Sequence, residues 1–189
     1  MSKALNLRRM VFTSLFTALI VIGSYLSFPI PFSPVPIVLS DFFLMLAGLC
    51  LGASSGAASM GLVLFLGALG LPVFSGGKAG LAVMIGPTGG FLLGYLIGVY
   101  VLGLISEKGK PSFLKDLTGL VLANLIIFGI GVPWLKLMLK LNWGKALTLG
   151  LLPFLIGNIV KTIAALVIIQ VIRPLINQYM TNQSLNVRD

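Results

Sequence analysis

The sequence has no histidine, one cysteine and only four acidic side chains among 189 residues. Each shortage excludes a chemistry. Without histidine there is no Ser-His-Asp triad, no HExxH zinc site and no haem histidine. A lone Cys50 forms neither an internal disulfide nor a CxxC site, and within its apolar run it reads as a small packing residue. No G-x-x-x-x-G-K-[ST] stretch occurs, since "SGGKAG" and "WGKAL" lack both the spacing and the hydroxyl residue. The chain therefore does not hydrolyse ATP by itself. Of the acids Asp41, Glu107, Asp116 and Asp189, only Asp41 falls away from the charged flanks of the apolar segments. A carboxylate-relay proton carrier needs intramembrane acids, so a proton pump working alone is not expected. Neither an enzyme, a metal site nor a cofactor is expected.

What the chain does have is apolar length. Hydrophobic residues make up 58% of it and charged residues 9%, where a soluble domain carries about 25% charged. A spanning helix needs about 20 apolar residues, so the chain holds five to seven spans and little else. The expectation is an all-α integral membrane bundle of six transmembrane helices with short loops, a single domain over residues 1–189. The first span is predicted over 10–28, too long for a typical signal-peptide core, and reads as a retained helix. It ends at "PIPFSPVP", where four prolines forbid regular helix. A second helix over 38–51 and a third over 56–71 are joined by "GASSG". The fourth spans 86–105, the fifth 117–132 and the sixth 149–172. Between the last two, "PWLKLMLKLNWGK" is amphipathic, with Trp134 and Trp143 suited to a headgroup belt.

Thirteen lysines and arginines give a formal charge of +9. They lie in short groups at the ends of apolar segments, which fits membrane topology and lipid headgroups, and no nucleic-acid partner is expected. With both termini on one side, that side holds Lys3, Arg8, Arg9, Lys108, Lys110, Lys115, Arg173 and Arg188. The other side holds Lys78, Lys136, Lys140 and Lys145. The bias places both termini in the cytoplasm. Gly48, Gly52 and Gly56 recur every four residues, as do Gly90, Gly94 and Gly98, the spacing that lets helix backbones approach closely.

One interruption stands out. "LLPFLIGNIVKTIAALVIIQVIRP" is a single apolar run except for Asn158 and Lys161, three residues apart and so on one helix face. A lysine at that depth costs about 3 kcal/mol by insertion scales. It is held there by an internal partner, for which Asp41 is the candidate, or by an anionic ligand, unless it snorkels to the interface, which is harder from the middle of a span than from its end. The first alternative describes a membrane-structural protein with no small ligand. The second describes a small apolar pocket on the outer side, with one cation and one amide, for an amphiphilic carboxylate. Lys78 is a candidate second anchor, and Gly76, Gly77, Gly86, Gly89 and Gly90 are candidates to shape the pocket with their backbone.

The segments "FSPVPIVLSDFFLMLAGLCLG", "GLPVFSGGKAGLAVMIGPTGGFLLGYLIG" and "LLPFLIGNIVKTIAAL" resemble, in order and spacing, the BioY-type biotin transporters. These are substrate-binding S components of energy-coupling factor (ECF) transporters, and the likeness covers residues 10–172. It implies a six-helix protein of the bacterial plasma membrane that takes biotin as transported ligand. It also implies a transmembrane T component and two cytoplasmic ATPases as partners, with Ser14 and Ala18 on the first helix facing the T component. A last-helix Asp-x-x-Lys pattern in the family implies Lys161 for the valerate carboxylate and the residue at 158 for the ureido ring. This chain departs from that pattern with Asn158 for the usual Asp, with Ser40 followed by Asp41 where a glutamine is common, and with Lys78 in a loop of small or amide residues. An asparagine still donates to a ureido carbonyl and accepts from its N–H. A lost anion and a gained cation make another carboxylated ligand, lipoate-like or desthiobiotin-like, the alternative.

Overall fold

The computed structural model describes residues 2–108 and 111–181, with side chains described for 7–108 and 111–174. Lys110, Arg188 and Asp189 lie outside the described residues, as does the side chain of Lys3. The chain order is α1 (Ser2–Tyr25), β1 (Ser27–Ile30), β2 (Ser33–Val38), α2 (Ser40–Ala68), a 3-10 turn (Ser75–Gly77), α3 (Leu81–Ile85), α4 (Gly89–Ser106), α5 (Phe113–Met138), α6 (Trp143–Gly150) and α7 (Leu152–Thr181). Five helical stretches are long and apolar enough to cross a membrane: Leu7–Tyr25, Ser40–Ala68, Gly89–Ser106, Phe113–Met138 and Trp143–Pro174.

The second and third predicted spans are the two arms of α2. Their joint is narrower than the five-residue connection expected, because Gly52 alone leaves helical geometry, at φ +78°. The arms fold back on each other there. A Cβ built on Gly56 would lie 3.2 Å from the Gly48 Cα, whereas eight residues of straight helix rise about 12 Å. The glycine row thus seals a hairpin within one helix. The carboxylate of Glu107 completes the joint by accepting from the Ala53 N–H at 3.1 Å, which satisfies an orphan donor at the start of the second arm.

The other glycine row packs α4 on α5. A Cβ on Gly94 would stand 2.9 Å from the Ile127 Cα, and one on Gly98 would stand 3.1 Å from the Ala123 carbonyl. Buried Met45, Leu49, Leu102, Leu120, Ala165 and Ile169 fill one half of the interior. Ile20, Met60, Val63 and Phe74, with Phe91, Ile127 and Phe154, fill the other. Ile156, Val160, Ile163, Val167 and Val171 of α7 stay exposed on the surface, as expected of side chains that face lipid.

The proline-rich stretch is not only a helix breaker. It forms an antiparallel ribbon with Ser27 opposite Val38 and Ile30 opposite Ser33, a small β element within a mainly helical protein. Further boundaries differ from those expected: α1 begins at Ser2, and α7 runs on through Pro174 to Thr181. Helix α5 continues through Pro133 to Met138, so Trp134 lies inside it. Its Nε1–H donates to the Gly86 carbonyl at 2.9 Å instead of standing in a headgroup belt. Trp143, with the Lys136 ammonium 5.1 Å from its ring centroid, is the exposed one of the two. Ribbon, 3-10 turn, α3 and α6 share one end of the bundle, called here the loop end. The Gly52 joint, the end of α4, the start of α5 and Arg173 of α7 share the other, the hairpin end.

Candidate functional site

Pro29, Pro34 and Pro36 lie in the two extended strands, Pro31 lies in the turn at 31–32 that joins them, and α2 begins just after the ribbon. Ser40 and Asp41 therefore enter the bundle in the first turn of α2, both buried beneath the ribbon. Lys161 approaches from α7, about two and a half turns below its start. Its ammonium lies 2.5 Å from Asp41 Oδ2 and donates to the Val38 carbonyl at 3.1 Å. The two side chains are only 12% and 7% exposed. The internal partner considered for Lys161 is thus in place, and the charge is neutralised by Asp41, whose other oxygen accepts from the Phe42 N–H at 2.9 Å.

Two adjoining cavities lie under the ribbon. One, of about 20 Å³, is lined by Asp41, Phe128, Phe154, Asn158 and Lys161. The other, of about 70 Å³, is lined by Ser24, Ser40, Phe74, Ser75, Lys78 and Thr88 among others. Val35, Pro36, Val38, Phe91 and Tyr95 line both, so β2 and one face of α4 form the partition. Of the site residues expected from the sequence, Lys161, Asn158 and Asp41 meet at the first cavity, and Lys78 and Ser40 at the second. Gly86, Gly89 and Gly90 line neither. They allow close approach behind the cavity wall: a Cβ on Gly89 would fall 1.8 Å from the Met84 carbonyl, and one on Gly90 2.2 Å from the Trp134 Cβ. Gly76 and Gly77 both have positive φ, which the turn carrying Lys78 requires. Ser14 and Ala18 are exposed on α1, away from both cavities.

Hydrogen bonds fix the loop end. The Ser24 hydroxyl donates to the Val73 carbonyl at 2.7 Å, and Ser75 to Ser27 at 3.1 Å, tying the 3-10 turn to α1 and the ribbon. Ser33 donates to the Leu149 carbonyl at 2.7 Å, tying the ribbon to α6. Asn158 donates through Nδ2 to Asn124 Oδ1 at 3.1 Å. Sequence reasoning missed Asn124, although a lone amide inside "LVLANLIIFG" carries the same signal as Asn158. It also missed the aromatic walls Phe91, Tyr95, Phe128 and Phe154, which are indistinguishable from core in an apolar sequence.

A second buried ion pair lies at the hairpin end. Arg173 donates to both oxygens of Asp116, at 2.8 and 2.9 Å, and to Ser106 Oγ and the Leu49 carbonyl. Asp116 is buried and Arg173 largely so. Read from the sequence, both are flank charges; the structure makes them an internal clamp, so Arg173 does not belong with the solvated basic residues that orient the bundle.

Comparison with known proteins adds an independent line. The model of the BioY family matches residues 1–178. A biotin transporter BioY of Thermotoga maritima is 39% identical over 162 residues, covering 86% of this chain and 94% of that protein. A probable biotin transporter BioY of Pyrococcus horikoshii is 42% identical over 155 residues, covering 82% and 90%. The crystal structure of the S-component for biotin from an ECF-type ABC transporter superposes with a TM-score of 0.85 at 29% identity. The match covers 92% of this chain and 95% of that one.

Proposed function

Since this chain belongs to the BioY family, we propose that it captures biotin as the substrate-binding S component of an ECF transporter, a multi-pass membrane protein and not an enzyme. The observation that carries the binding mode is the pairing of Lys161 with Asp41 beside Asn158, in one cavity under the ribbon. An ammonium donor flanked by two oxygen acceptors complements a ureido ring, whose carbonyl accepts and whose N–H groups donate. A second carboxylate beside Asp41 is disfavoured by like-charge repulsion. On this reading the valerate carboxylate lies at Lys78, across the partition, and not at Lys161. Lys78 has no acidic partner among the described residues, and it lines the adjoining cavity with Ser40.

Ligand pockets usually measure about 300 Å³ or more, well above these two cavities. Binding then requires Val35, Pro36 and Val38 of β2 to move away from Phe91 and Tyr95, which joins the cavities into one. The apolar wall takes the ring and valerate chain, and release is driven from outside the chain. In this reading a T component docks on the α1 face that exposes Ser14 and Ala18, and two ATPases supply the work.

Titration of the purified protein with biotin and with biotin methyl ester tests the assignment. Lys161→Ala is expected to weaken both ligands by about 10–100-fold, the range for a hydrogen bond to a charged group. Lys78→Ala is expected to weaken biotin about tenfold and the ester hardly at all. If Lys161→Ala binds biotin like the unaltered protein, the polar-ring site is wrong. If only Lys161→Ala erases the preference for the free acid, the carboxylate belongs at Lys161. A shift in thermal unfolding with lipoate or desthiobiotin but not with biotin would overturn biotin as the ligand.

A further inference from the structure

Asn158 lies on a partition. On one side is the cavity holding Asp41 and Lys161, and on the other is a groove between α5 and α7, lined by Asn124, Thr162, Leu125 and Leu155 among others. Asn158 and Phe128 line both. An asparagine amide presents either its oxygen or its NH₂ to a given neighbour, and the hydrogen-bond network decides which.

Here the network decides without ambiguity. The Leu120 carbonyl can only accept, and Asn124 Nδ2 donates to it at 2.9 Å. The same nitrogen reaches Thr162 Oγ1 at 3.4 Å. Asn124 Oδ1 is thereby the atom left for Asn158, which must present Nδ2, as it does at 3.1 Å. Asn158 Oδ1 has no hydrogen-bond partner among the described residues. The donor half of the amide is used on the groove side, and the acceptor half is left unpaired.

We propose that Asn124 is a positioning residue for ligand recognition: by holding the Asn158 NH₂ group, it makes Asn158 present an acceptor to the ligand, as a carboxylate would without help. This rests on the functional reading above and assigns the free acceptor to a ureido N–H. A carboxylate at 158 has only acceptor oxygens and needs no orientation; facing Asn124 Oδ1, it would be repelled by it.

The test is a cycle of biotin titrations on the purified full chain in detergent, with Asn124→Ala made in the natural background and together with Asn158→Asp. In the natural background Asn124→Ala is expected to weaken biotin about tenfold, the scale of one oriented hydrogen bond. In the Asn158→Asp background the same change is expected to leave affinity within about twofold or to improve it. Asn124→Ser, too short to hold the amide, carries the same expectation and serves if the alanine variant lacks a cooperative thermal transition. Equal losses in both backgrounds would reduce Asn124 to a packing role and overturn the proposal, as would no loss in either. The unaltered chain is titrated first: absence of biotin binding there overturns the functional reading and the positioning role together, whereas binding with equal losses overturns the positioning role alone.

Discussion

At the scale of single residues, the buried charges among the described residues stand in closed sets. Lys161 is answered by Asp41 and a carbonyl, and Arg173 by both oxygens of Asp116, a hydroxyl and a carbonyl. Breaking a buried pair by removing one partner leaves an uncompensated charge and costs about 3–5 kcal/mol. Asp116→Ala is thus expected to lower the thermal midpoint in detergent markedly. Replacing both partners by apolar residues, as in Asp116→Leu with Arg173→Met, should cost less than either single change. A double variant less stable than both singles would count against the pair as a closed set. Lys161 was legible in the sequence because a cation deep in an apolar run is anomalous on its face. Asp116 and Arg173 were not, because each sits near a segment end where charge is ordinary. Their pairing joins positions 57 apart through tertiary packing alone.

At the scale of elements, hydropathy and proline located the spans, since span length and backbone chemistry are local properties, but several ends ran on, α1 from Ser2 and α7 through Pro174 to Thr181. Two further departures were decided by packing. Pro133 does not end α5, and the "GASSG" joint contracts to Gly52 because Gly48 and Gly56 allow the two arms to touch. Helix α1 divides its labour along two faces. Phe16 and Ile20 are buried, and the Thr17 hydroxyl donates to the Thr13 carbonyl and toward that of Ser59. Val11, Ser14, Leu15, Ala18 and Ile22 remain exposed. Small residues at 14 and 18 suit close approach by another helix. Ala18→Trp is expected to leave biotin affinity unchanged while preventing co-purification with a T component. A variant that keeps its partner would place the docking face elsewhere.

At the scale of the whole molecule, the two ends are unlike. The hairpin end is locked by the Arg173–Asp116 set and by Glu107 at the Gly52 joint; the loop end carries the ribbon, the 3-10 turn and both cavities. With the hairpin end in the cytoplasm, a cysteine at Lys78 should react with an impermeant maleimide in intact cells, and one at Ser112 only after permeabilisation. Each is introduced after Cys50 has been replaced. The reverse pattern would invert the bundle. The ribbon is pinned at three points: Ser33 to the Leu149 carbonyl, Val38 to the Lys161 ammonium, and Ser27 to the Ser75 hydroxyl. The second of these is made by the side chain assigned to the ligand ring. In the proposed binding mode, a bound molecule departs when ribbon and lysine let go together, and its residence time would follow that joint opening. Tight capture from dilute surroundings would then show itself as slow dissociation, and an energising partner would act by hastening it.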